Sequence, residues 1–368
     1  MKILQVNKLY PPAVGGIEKT VGQLARGLNA TNQVSVLAIR EGFGFGSVCN
    51  ENGVKVMRCG GFGRIARMPV SLSFFWYFWR ESKKADITHV HYPFPLVSVA
   101  LWLFRPKAPV FITWHSSVVR QKFLGRLVKP FVDWTLKHAS GIITTFPAAS
   151  SFYAELGRYE NKTEAIPLAF DGSVVSSRVE AEKNSLIFIH VGRLVYYKGL
   201  PTVMRAFAGV PEGELWIVGS GPLLDELKEL AKNLHIEQRV RFISNASDQH
   251  VCELMAQADV FVLGSDHVSE VFGMVQLEAM AAGLPVINTQ LPTGVPWVAR
   301  DNVEALTVQP SNVEEMSIAM KKMTSSSGLR QRFSDAARIR ASQFSSDRMI
   351  EAHRKFYQSA LEKRRSLG

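Results

Sequence analysis

At 368 residues the chain exceeds one average hydrophobic core, so two domains are expected. With 46% hydrophobic and 20% charged residues and no repeat period, it excludes disordered, collagen-like and coiled-coil classes, save for a frayed C-terminus. Forty-three basic residues against 32 acidic give +11, a surface suited to phosphates, anionic headgroups or nucleic acid without choosing among them.

Cys49, Cys59 and Cys252 lie far apart with no metal-ligand spacing, as in a reduced, cytosolic protein. Met1-Lys2 leads into ILQV, but Asn7, Lys8 and two prolines interrupt before a signal-peptide core forms. The greasiest run, 72–79, is closed by Arg80-Glu81 and falls short of the ~18 to 20 apolar residues of a spanning helix.

In chain order, residues 2–7 read as a buried strand running into a Pro-Pro and Gly-Gly turn. A helix follows at 17–28, with Val21, Leu24, Ala25 and Leu28 on one face. Strands are expected at 34–39, 87–90, 110–113 and 141–145, with helices between them. Apolar periodicity vanishes over 167–183, the expected linker. It restarts with strands at 186–191, 214–218, 240–243, 260–263, 285–288 and 306–308, and helices at 202–207 and 223–233. Residues 314–344 look helical, and 347–364 form a last amphipathic helix with a basic end. Such alternation predicts an α/β protein of two doubly wound, Rossmann-like units, 1–172 and 184–345, with helix 346–368 returning to the first. Two units of this kind bind ligands at the carboxyl ends of their strands, in a central cleft if they face one another.

Chemistry is concentrated at those strand ends. Gly15-Gly16 opens the first helix, where bare backbone and a helix N-terminus suit a diphosphate; a plain tight turn is the competing reading. Arg193 follows the strand FIHVG and Lys198-Gly199 stands five residues on, a planar fork and a point charge able to neutralise phosphates. Two solvated cations are the alternative. Gly219-Ser220-Gly221-Pro222 makes a further glycine turn at the same edge. The most specific string is SEVFGMVQLEAMAAGLPVI at 269–287. Glu270 and Glu278 flank Phe272-Gly273, and the amides of Gly273, Met274 and Val275 begin an Ala-rich helix. Carboxylates there suit a sugar or a ribose diol, although Glu residues ordinarily serve as salt-bridge partners. His89 and His91 share one face by period two, without an obvious third ligand for a metal. Of these, His91, with Tyr92 beside it, is the expected cleft residue, and His89 the structural one.

The combination GGIE, VGRL…KG, VGSGP and E-x7-E resembles the GT4 family of retaining glycosyltransferases, which have the GT-B fold. The resemblance covers nearly the whole chain. It implies that Gly15 and Gly16 meet the donor's phosphates or reacting sugar, and Arg193 and Lys198 the diphosphate. It further implies Glu270 on the transferred sugar, Glu278 on the ribose, and His115, in ITWHSS, as an active-site histidine near the sugar. Gly219, Gly221, Phe272, Gly273, Met274 and Val275 complete the implied donor site. YPFP, TWHSSVVRQK and TGVPWV are similar to bacterial mannosyl- and rhamnosyltransferases of O-antigen or capsule assembly. That implies a GDP-linked sugar such as mannose, a polyprenyl-diphosphate-linked saccharide acceptor and other polysaccharide-assembly enzymes as partners. It also implies a cytoplasmic protein held peripherally at the inner face of the membrane, with no cofactor or metal. Tyr197 and Ala305 depart from the family, which often has an acid and a glycine there.

The aromatic run 74–79 with Arg64, Arg67 and Arg80, the segment 122–129 and the tail Lys363-Arg364-Arg365 suit an anionic leaflet, or equally a buried helix with ordinary surface charge. Rival classes are a UDP-sugar-dependent transferase of the same fold and a nucleotide-sugar epimerase or glycosyl phosphorylase. A nucleic-acid binder is suggested by pI alone.

Overall fold

Period-two alternation sets the first strand, Lys2–Val6. Leu4 and Val6 pack on one face of a sheet, while Ile3 packs on the other with Gln5 buried beside it. The computed structural model describes residues 1–13, 15–65, 68–69, 71–116, 122–170 and 185–366. It divides into two units, Met1–Ala169 with Ser346–Gly368, and Phe170–Ser345.

The first unit is built on one eight-stranded sheet. Its order is Thr163–Ala165, Gly141–Thr144, Val110–Trp114, Ile87–Tyr92, Lys2–Val6, Gln33–Ile39, Val54–Cys59 and Ser47–Glu51. All neighbours are parallel except the last pair. That antiparallel edge hairpin was not expected, yet its signal is in the chain. Asn52-Gly53 supplies two successive positive φ angles, 52° and 82°, as a tight primed turn requires.

Helix Gly16–Asn29 buries Val21, Leu24, Ala25 and Leu28 against one face of the sheet. The last helix, Ser346–Ser366, packs beside it and over strand Gly141–Thr144. The opposite face is covered by helices Ser73–Ser82 and Pro95–Phe104, through Phe74, Phe78, Val97 and Leu101.

The second unit has six parallel strands in the order Val240–Ile243, Glu214–Val218, Ile187–Val191, Val260–Val262, Val286–Thr289, Ala305–Val308. The single long helix expected at 314–344 is two, Val313–Ser325 and Ser327–Ala341, followed by a short 3-10 turn. Ser326 breaks it because its hydroxyl caps the second helix, accepting from the Leu329 amide at 3.2 Å.

Among the parallel strands of each sheet the direction of strand addition reverses once. It does so between Lys2–Val6 and Ile87–Tyr92 in the first, and between Ile187–Val191 and Val260–Val262 in the second. Helices diverge to opposite faces at such a point, opening a crevice at the carboxyl ends of the strands. Of the expected linker, 171–183 lies outside the described residues, as do Arg67, Ser117 and the side chains of Arg64, Lys122, Lys363, Arg364 and Arg365. Among the described residues no helix is long and apolar enough to cross a membrane.

Candidate active site

In the second unit, the chain leaves strand Ile187–Val191 through Gly192 and places Arg193 in solvent. Its guanidinium donates to the Tyr197 hydroxyl at 3.3 Å, and the described residues give it no carboxylate partner. Lys198 behaves differently. Its ammonium is buried and donates to Glu270 Oε2 at 2.6 Å, and the Ser265 hydroxyl donates to the same oxygen at 2.9 Å. Two sequence-predicted residues 72 positions apart are thus one buried ion pair. Gly199 makes this approach possible. It sits at φ 62°, and a Cβ there would overlap the Gly264 carbonyl oxygen of the next loop.

Gly219 is pressed as closely against Gly192. A Cβ there would collide with the Gly192 carbonyl, and one on Gly221 with that of Leu194. The strand ends Val191 and Val218 therefore open into two interlocked backbone turns. Beneath them lies His190, which sequence reasoning missed. Its Nδ1–H donates to the Val262 carbonyl at 3.0 Å, leaving Nε2 buried without a partner. Burial first, and then the charge of Lys198, pull His190 down to about 3.

The loop 269–273 is held from behind by polar groups. Thr293 Oγ1 donates to the Glu270 carbonyl at 2.9 Å, and Gln276 Nε2 donates to those of Phe272 and Val295 at 3.0 and 3.1 Å. Asn288 ties Gln276 Oε1 to the Ala299 carbonyl, and Thr289 Oγ1 donates to that of Ser265. Gly273, at φ 70°, turns the chain into helix Met274–Ala281, so the first amides, Met274 and Val275, lack intrahelical acceptors. Phe272 is packed against Trp297 and Phe344 and offers backbone rather than ring to a ligand. Glu278 lies half-buried one turn further along the helix.

The first unit carries a separate group at its own switch point. His115 follows strand Val110–Trp114, fixed by its amide donating to the Tyr92 carbonyl at 3.0 Å and by the Tyr153 hydroxyl donating to its carbonyl at 3.3 Å. Its Nε2 lies 3.1 Å from His91 Nδ1, and His91 Nε2 lies 2.8 Å from Gln5 Oε1. His89 sits between Thr113 Oγ1 and the Tyr357 hydroxyl at 2.7 and 2.6 Å. The His353 ring lies tilted beside His89, 5.7 Å between centroids. All four histidines are buried, and desolvation lowers each one, His115 to about 3 and His353 to about 4. His89, expected to be structural, and His91, expected to be a cleft residue, belong to one network.

Tyr92 does not join that group. Its ring stacks on Trp114 at 4.2 Å and is buried, because the next residue along a strand faces the other way. Gly15 is shielded as well. The Glu18 carboxylate lies where a Gly15 Cβ would stand, so the N-terminus of helix Gly16–Asn29 already has an anion beside it. Among the described residues no group of three or more His, Cys, Asp or Glu is placed to hold a metal ion.

Residues 15–169 match the glycosyl transferase 4-like domain, and residues 175–340 match glycosyl transferases group 1. The chain is a group 1 glycosyltransferase. This glycosyltransferase is 28% identical over 373 residues to O-antigen chain mannosyltransferase C of Escherichia coli, covering 98% of the chain and 99% of that relative. It is 28% identical over 329 residues to a D-rhamnosyltransferase of Pseudomonas aeruginosa, covering 87% and 86%. A crystal structure of HepE from Anabaena with UDP-glucose matches with a TM-score of 0.79 at 19% identity, over 98% of this chain and 100% of that one. The glycosyltransferase accordingly has the GT-B fold of two Rossmann-like domains.

Ser265, Gln276, Asn288, Thr289, Thr293, His190, Gln5, His353 and Tyr357 had not been singled out. Two carried a legible signal: Gln5 interrupts the apolar strand ILQV, and Gln276 interrupts an apolar helix. A polar residue kept at zero exposure must be hydrogen-bonded, which marks it as structurally committed.

Proposed function

We propose that this glycosyltransferase moves a GDP-linked hexose, mannose or rhamnose, with retention onto a lipid-linked saccharide in cell-surface polysaccharide assembly. The observation that carries the donor reading is the exposed Arg193 beside the buried Lys198–Glu270 pair, at the switch point and against side-chain-free glycine turns. A diphosphate suits that setting, with Arg193 and Lys198 on its oxygens. Glu270 then receives sugar hydroxyls, Glu278 the ribose, and the Met274 and Val275 amides a further phosphate or sugar oxygen. In the first unit His115 is the sugar-facing residue of this reading, while Gly15, with the Glu18 carboxylate beside it, is closed to an anion. The two relatives matched over most of their length support the O-antigen class and the choice of sugar.

The chemistry is a front-face substitution. The anomeric carbon–oxygen bond to the diphosphate breaks as the acceptor oxygen bonds to the same face, and the acceptor proton passes to the departing diphosphate. Arg193 and Lys198 stabilise the charge that develops there, which is where preorganised cations act most strongly and what a metal would otherwise supply. Arg193→Ala is expected to lower kcat by roughly 10²–10³ with unchanged thermal unfolding, since the side chain is exposed and has no carboxylate partner among the described residues. Steady-state transfer assays with GDP-, UDP-, ADP- and dTDP-sugars, run with a chelator, check this. Wild-type turnover in the variant would remove Arg193 from the reaction, and saturation by UDP-sugars alone would favour the UDP-dependent alternative.

A membrane-facing role rests on helix Ser73–Ser82. Its aromatic run is divided: Phe74 and Phe78 are core, while Trp76 and Trp79 are exposed by 51% and 40%. Arg80 lies over Trp76 and Lys83 over Trp79, at 4.5 and 4.0 Å. Indole rings with adjoining cations suit the headgroup layer of an anionic leaflet, each cation adding ~1 kcal/mol. The enzyme is expected to sediment with anionic vesicles and not with phosphatidylcholine alone. The double variant Trp76→Ser, Trp79→Ser should stay in the supernatant, and undiminished sedimentation would dismiss this face.

A further inference from the structure

Four buried histidines in the first unit hold more hydrogen-bonding information than a packing role requires. Gln5 turns its carbonyl oxygen to His91 at 2.8 Å, and a carbonyl only accepts. His91 must therefore carry its proton on Nε2, leaving Nδ1 as a lone pair. That lone pair faces His115 Nε2 at 3.1 Å, so His115 must be protonated on Nε2. His115 Nδ1 is then an unprotonated acceptor, and this is the atom of His115 that has no partner, although the residue is 4% exposed. A buried lone pair without a donor calls for an explanation.

The other arm reaches the network from the C-terminal helix. The Tyr357 hydroxyl on the C-terminal helix lies 2.6 Å from His89 Nδ1, and His89 Nε2 lies 2.7 Å from Thr113 Oγ1. If the hydroxyl proton goes to His89, the Tyr357 oxygen is left as an acceptor for the amide of Gln5. Gln5 Nε2 is buried without a hydrogen-bond partner of its own. The carbonyl oxygen is the atom that Gln5 turns to His91.

We propose that Gln5 and His91 are positioning residues that lock His115 in one tautomer, so that it presents Nδ1 solely as an acceptor for a donor hydroxyl of the bound sugar. The functional half rests on the reading of His115 as a sugar-facing group; the tautomer half stands on geometry alone. A neutral imidazole with its proton held on the far nitrogen cannot donate at that position. It therefore selects a sugar hydroxyl that can turn its hydrogen to His115, and it disfavours a deoxy or O-alkylated carbon there.

The test is the two-bond nitrogen–proton correlation spectrum of protein labelled with [15N]histidine, which separates protonated from bare ring nitrogens. His115 is assigned by its loss in His115→Gln. Wild type should show His115 with Nε2 protonated and Nδ1 bare, and saturating nucleotide sugar should shift the Nδ1 resonance. His91→Leu, which removes the acceptor, should leave His115 averaging between tautomers and lower kcat/KM by about tenfold. His91→Asn, whose carbonyl oxygen stands near the lost Nδ1, should restore both. A wild-type His115 protonated on Nδ1 overturns the proposal, as does an unchanged His115 spectrum in a folded His91→Leu protein. The predicted tautomers in a protein that transfers sugar from no nucleotide donor would support the network and overturn the functional reading instead.

Discussion

Lys198→Met is expected to destabilise the second unit by about 3–5 kcal/mol and to abolish measurable sugar transfer. The ammonium and the Glu270 carboxylate are almost wholly out of solvent, 8% and 11% exposed as side chains, and 2.6 Å apart. Removing the cation leaves a largely buried carboxylate whose Oε2 keeps only the Ser265 hydroxyl. Adding Glu270→Leu to the lysine change should return most of the stability, because an apolar pair avoids the desolvation cost of two ions. Activity should not return with it, since cation and carboxylate are then both gone from the proposed donor site. Urea titration with transfer assays on both variants separates the two effects. A stable Lys198→Met protein would show that Glu270 rotates into solvent, and the pair would lose its claim to shape the site.

The first unit is expected to be markedly acid-labile, losing up to roughly 8 kcal/mol between pH 7 and pH 5. The sign follows from burial. His89, His91, His115 and His353 are all held below the ordinary imidazole value, chiefly by desolvation. Their unfolded counterparts take up protons below about pH 6.5 that the native state refuses until near the folded values. Stability is therefore complete above that pH and falls as pH drops, by about 2 kcal/mol per histidine between pH 7 and 5. Set against a usual total of ~5–15 kcal/mol, four such groups remove a large share of the unit's stability. Carboxylates act in a lower window. Glu51 is held below its usual range by Arg58, and Glu81 by Arg80 and Lys55 against its burial.

Thermal unfolding at pH 7 and pH 5, with hydrogen exchange followed in strand Ile87–Tyr92, reads the effect directly. His353→Leu offers a control, because its Nδ1 serves only the Met349 carbonyl one turn back while Nε2 has no partner. The variant should be near neutral at pH 7 and gain about 2 kcal/mol over wild type at pH 5. A melting temperature indifferent to pH across that range would mean that these imidazoles titrate freely, against their burial.

Much of the fold was legible because doubly wound units write themselves locally. Short apolar runs such as FIHV and ELWIV alternate with amphipathic helices, and burial on both faces of a parallel sheet demands that pattern. The hairpin Ser47–Glu51 with Val54–Cys59 escaped because its outer strand is mostly solvent-facing and carries little hydrophobic signal. The split at Ser326 escaped because a serine in an amphipathic run reads as a surface residue until its hydroxyl is seen capping.

The chain by itself determined which residues stand at strand ends: Gly15, His115, Arg193, Lys198, Gly219 and Glu270 all follow a strand or a turn, which spacing and propensity fix locally. What it could not determine is which of them touch. The pairing of Lys198 with Glu270, and the chain of contacts from Tyr357 through His89 and from Gln5 through His91 to His115, join residues up to 268 positions apart. Only the order of strands brings them together. Hydrogen-bond polarity depends on such neighbours, so whether a histidine donates or accepts, and whether a lysine is free or already paired, was decided by tertiary structure alone.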